Sequence, residues 1–102
     1  MADILERLRD DLREAQIEQA YVDMRHPDGD VDLVIVAGGR ALTLGGGCAR
    51  QTAHERWTKE LSYDYCQRWL VGAEILDVVS KDDGRSLTLW LSSGVIVTGI
   101  PG

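Results

Sequence analysis

"HPDGDVDLVIVAGGRALTL" fills residues 26–44, and "KDDGRSLTLWLSSGVIVTG" fills residues 81–99. Each runs turn, apolar strand, tight turn, apolar strand, and Gly29 precedes Gly39 by the same interval that separates Gly84 from Gly94. In the first copy Pro27 presets φ, and Asp28-Gly29 supplies residues that tolerate the left-handed conformation of a tight reversal. Residues 31–37, "VDLVIVA", are apolar on both faces past Asp32, as expected of a central strand covered on both sides. Gly38-Gly39 is a two-residue hairpin signal, after which "RALTL" returns.

Upstream, Ala20, Val22 and Met24 alternate with Tyr21, Asp23 and Arg25, the period of a half-buried strand. A shift of 55 residues carries Asp28-Gly29 onto Asp83-Gly84, Val34 onto Leu89, Val36 onto Leu91, Leu42 onto Val97 and Thr43 onto Thr98. The same shift carries Ala20–Met24 onto Ile75–Val79. The chain therefore reads as two three-stranded antiparallel meanders, 17–44 and 74–100. A lone meander covers neither of its faces and is marginal in water, so two must brace one another. They join as a single sheet of about six strands or as a small sandwich or barrel.

The remaining elements make the fold class α+β. In "DILERLRDDLREA", Ile4, Leu5, Leu8, Leu12 and Ala15 form one apolar stripe, with Arg7, Asp10, Asp11 and Glu14 opposite. Asp3 and Glu6 have the spacing of a capping box, so an N-terminal helix over 1–16 docks on the sheet by its stripe. Between the meanders, residues 45–73 form a connector. Gly45-Gly46-Gly47 is a flexible exit from the first unit, and Thr52 with Glu55 opens a short helix over 52–61. From Ser62 a further helical turn closed by Gly72 competes with an extended segment.

At 102 residues the chain is expected to be one domain, 1–102. It has no apolar run of membrane-spanning length, and the N-terminal stretch lacks an apolar signal core; a cytoplasmic protein is expected. Cys48 and Cys66 form no CxxC pair and are expected to be reduced. With His26 and His54 they are too scattered for a zinc site. "DGDVD" resembles the start of a calcium loop, but Leu33 and Gly39 stand where that loop needs glycine and glutamate. "LGGGCARQT" lacks the lysine and hydroxyl ending of a phosphate cradle. No cofactor or metal is expected, and no residue argues for catalysis.

Two functions from different classes remain. The net charge of −6 repels nucleic acid and anionic lipid and favours basic protein surfaces. Four of the six aromatics, Trp57, Tyr63, Tyr65 and Trp69, sit in the connector among charged residues, the mixture of an interface centre and rim. The competing reading has the tryptophans capping the sheet as core, in a chain without phenylalanine. A small acidic, non-enzymatic protein-binding module is the first expectation. Toxin-immunity proteins and phage anti-defence proteins such as anti-CRISPRs share this build, and they inhibit by occupying a basic surface. Asp28, Asp30 and Asp32 then steer, and Trp57, Tyr63, Asp64 and Tyr65 make contact. Free sheet edges also allow a homodimer. The alternative is a small-ligand or catalytic domain with a pocket between meanders and connector, lined by Cys48, His54 or Tyr65.

Overall fold

A computed structural model describes residues 2–81 and 84–102, with side chains from Arg7 onward. The side chains of the capping pair Asp3 and Glu6 and of the stripe positions Ile4 and Leu5, and the turn position Asp83, lie outside what is described. Helix α1 (Ala2–Leu12) buries Leu8 and Leu12 and leaves Arg7, Asp10 and Asp11 in water, as the stripe requires. It ends where Glu14 takes a positive φ of 69°. That reversal lets the Glu14 N–H donate to the Ile75 carbonyl at 2.7 Å and the Ile75 N–H donate to Ala15 at 2.9 Å. Arg9 Nε–H adds a bond to the Val78 carbonyl at 3.0 Å, tying the helix to the second meander.

The strands are β1 (Ile17–Arg25), β2 (Val31–Ala37), β3 (Arg40–Gln51), β4 (Ile75–Lys81), β5 (Ser86–Leu91) and β6 (Val95–Pro101). They form one six-stranded sheet in the order β1-β2-β3-β6-β5-β4, and every neighbour is antiparallel. The two meanders meet third strand to third strand. The sheet also curls until its outer strands touch at one end, where Gln16 bridges Glu74 and Ile17 N–H donates to the Ala73 carbonyl at 2.8 Å. Inside the curl a single apolar cluster draws on both meanders, with Leu33, Ile35 and Leu44 from the first and Ile75, Leu89 and Val97 from the second. Cys66 and Leu70 join it from the connector. Among the described residues no helix is long and apolar enough to cross a membrane.

The duplication is structural, but no single shift superposes it. Ile35 faces Ala20 and Leu42, while Leu89 faces Val78 and Val97. Equivalent positions are therefore 58 residues apart on the first strand, 54 on the second and 55 on the third. Ala20 corresponds to Val78 rather than Ile75, and Ile35 rather than Val34 corresponds to Leu89. One cause is the first hairpin, which carries a bulge between Val22 and Met24 with no counterpart in β4 and runs one residue pair further to its turn. The other is a three-residue turn, Ser92-Ser93-Gly94, where the first unit has Gly38-Gly39.

The connector departs further. The strand expected to end at Leu44 runs on to Gln51, and the three glycines belong to it. Gly46 takes a φ of 60° inside a bulge between Gly45 and Cys48. A Cβ on Gly47 would lie 2.9 Å from Cβ of Leu33, so this crossing admits only glycine. Residues 52–61 contain no helix. Beyond the end of β2 the free edge of β3 is open, and Thr58 pairs with Ala49 there through reciprocal bonds of 2.7 and 3.0 Å. Tertiary pairing outweighs the Thr52–Glu55 pattern because it satisfies an otherwise open strand edge. Helix does form after Ser62, whose Oγ accepts the Tyr65 N–H at 3.0 Å. Helix α2 (Tyr63–Tyr65) continues as a π-helical stretch, α3 (Cys66–Leu70), and Gly72 reverses the chain at a φ of 86°.

Candidate functional site

The sequence-selected residues fall on four separate hollows of the surface. Asp28, Asp30 and Asp32 share the first with Gly45, Gly46 and Ile100. The Asp28 carboxylate accepts the Asp30 N–H at 3.0 Å, closing the turn. Lys59 Nζ lies 3.5 Å from Asp30, and His26 Nε2 lies 3.1 Å from Asp32 Oδ1. Asp30 thus faces a cationic partner, and Asp32 holds an imidazole.

Tyr63 projects from the start of α2 and is 72% exposed. It lines a second hollow with Tyr21, Asp23, Met24, Arg25 and Leu61. Tyr21 and Met24 are 42% and 54% exposed, and neither was singled out by the strand pattern, which sends Met24 inward with Ala20 and Val22. The β1 bulge reverses that. Val22 faces the buried Leu33, the extra residue Asp23 follows, and Met24 then faces Asp32 on the outer side. Tyr21, opposite Val34, stands on the same side. The Arg25 guanidinium donates to the Leu61 carbonyl at 3.0 Å and fixes the connector beside this strand.

Asp64 and Tyr65 line a third hollow with Ser62, Gln67, Arg68 and Trp69, away from Tyr63. Tyr65 and Trp69 also pack against the core, and burial raises the Tyr65 hydroxyl pKa.

Trp57 lies in the fourth hollow, on the outer face of β3, β6 and β5. Because Thr58 pairs with Ala49, whose side chain points into the core, Trp57 and Lys59 turn outward. Trp57 is 41% exposed, and Arg50 lies over its ring at 5.2 Å from the centroid. Trp90, equally exposed, lines the same hollow with Lys81 and Cys48. Burial raises the pKa of the Cys48 thiol, and Lys59 partly offsets the effect. His54 and Tyr65 are not among the residues lining this hollow. Among the described residues no three His, Cys, Asp or Glu side chains converge as metal ligands. Comparison of the chain with protein-family models, curated proteins and solved structures gives no match.

Proposed function

We propose that this chain is a small protein-binding module that masks a basic surface of its partner through the Tyr21–Met24–Tyr63 patch. The observation that carries the reading is the convergence of these three exposed side chains on one hollow, with Asp23 beside them. Tyrosine and methionine are enriched at interfaces because they bring large, adaptable contact area. Glu60 flanks the patch along the chain, and Asp28 lies at the tip of the same hairpin. These carboxylates and the net charge of −6 favour a cationic partner and speed its approach. Proteins that bind nucleic acids present such surfaces, so inhibition of a nucleic-acid-binding or toxic protein is the role this module fits.

The test is capture of a partner from host extract, followed by binding kinetics with the purified pair. Tyr63→Ala and Met24→Ala are expected to weaken the complex by about 10-fold or more each, as interface anchors do. The association rate should fall as salt rises, since steering acts through screened charge. A complex untouched by both substitutions would move the interface elsewhere, and an association rate indifferent to salt would remove the electrostatic element.

A further inference from the structure

The outer-face hollow around Trp57 and Trp90 has a different chemistry from the rest of this acidic molecule. Strand register builds it in rows. Trp90 stands opposite Ile96, and Ile96 opposite Arg50; one step along, Thr88 stands opposite Thr98, and Thr98 opposite Cys48. Lys81 closes the β4 side, and among the described residues that line the hollow none is a carboxylate. The two indoles, Arg50 and Lys81 surround about 250 Å³ of space. We propose that this hollow binds a small anion bearing a planar aromatic ring, of the nucleoside monophosphate class.

The Trp90 indole supplies a face on which a ring stacks beside Trp57, whose ring already carries Arg50, and the guanidinium and ammonium supply the counter-charge. Arg50 spends one N–H on the His54 carbonyl at 3.0 Å, and its remaining donors suit a phosphate or carboxylate. The threonines do not serve the anion. Thr98 donates its hydroxyl proton to the Leu87 carbonyl at 3.0 Å, so Thr88 must donate to Thr98 in their 3.1 Å contact. With both protons committed, the floor offers acceptor lone pairs, which suit a ring N–H or amino group.

Charge also decides between a small ligand and a polymer. Screening over about 8 Å at physiological salt lets Arg50 and Lys81 set the local field despite the net charge. A longer strand would run onto Asp77, which faces Trp90 from β4, or onto Asp30, which pairs with Lys59. Each further phosphate would then meet repulsion instead of gain.

The experiment titrates AMP, CMP and UMP into the intact protein, following tryptophan emission and the indole N–H resonances. Saturable quenching that shifts the Trp57 and Trp90 signals and spares Trp69 is expected. The matching nucleosides without phosphate should bind about 10-fold more weakly, a difference of one charge-assisted contact. Trp90→Leu should weaken binding about 5-fold or more, as loss of a stacking face does. Arg50→Gln, a change at the rim, should weaken it comparably and stands in if the tryptophan variant does not fold. Three results would overturn the proposal: no quenching, equal binding of nucleoside and nucleotide, or indifference to Arg50→Gln. A short single-stranded oligonucleotide bound far more tightly than any mononucleotide would also overturn it, replacing the small ligand with a polymer.

Discussion

The two meanders share a plan and differ in their third strands. In the second unit β6 is a plain strand from Val95 to Pro101; in the first, β3 runs from Arg40 to Gln51 and is broken by a bulge. The extra length gives β3 two jobs. Its first half completes a hairpin with β2, and its second half forms the seam with β6 and receives Thr58 on its other edge. Leu44 and Gly99 occupy equivalent positions, opposite Leu33 and Leu87, and meet at this seam. One leucine fills the space that two cannot share. A near-symmetric assembly thus needs an asymmetric choice of side chains where its halves touch.

The largest test of this comparison treats the halves as equals. Ile35→Ala and Leu89→Ala sit at matching central positions, both buried, and each is expected to cost about 2–5 kcal/mol. Equal losses in chemical denaturation, in one cooperative transition, would show that neither meander holds by itself; a second transition would separate them. Next comes the seam. Gly99→Ala places a Cβ 2.6 Å from that of Leu44, so a loss of about 1–3 kcal/mol is expected; Leu44→Gly removes the opposing Cβ, so the double variant should lose less than the sum of the two single losses.

Alkali probes the connector where it enters the core. Burial raises the Cys66 thiol pKa above its ordinary value of 9.0. The unfolded chain then releases this proton first, so the contribution is intact below pH 9.0 and is lost as pH rises toward the folded value. The slope is at most about 1.4 kcal/mol per pH unit for one such group. Thermal melts across this range should flatten in Cys66→Ala. The smallest effect belongs to Lys59→Gln, which removes an exposed ion pair with Asp30; under about 0.5 kcal/mol is expected.

Turn chemistry made the hairpins legible from residues alone. Gly38-Gly39 takes the two positive φ angles its sequence announces, and "VDLVIVA" is the covered strand its composition demands. The helix stripe was equally plain at Leu8 and Leu12. Bulges were not legible, because an inserted residue leaves the local composition unchanged while reversing every later side chain. That is why Met24 joins Tyr21 outside. The connector misled for a related reason: Thr52 and Glu55 satisfy a local helix rule, yet the bonding capacity they would have filled lies on the distant edge of β3 at Ala49. Trp57 appeared in the sequence as a candidate, but its neighbours Arg50 and Trp90 come from other strands and needed the register.

The junction of β3 with β6 also sets an order of events during synthesis. The first meander leaves the ribosome with half of its longest strand unmatched, and that border stays open until the partner some fifty residues downstream has emerged. A nascent chain in this interval exposes a sticky ribbon to its neighbours on the polysome, so slow translation of the C-terminal third invites misassociation that the finished molecule resists.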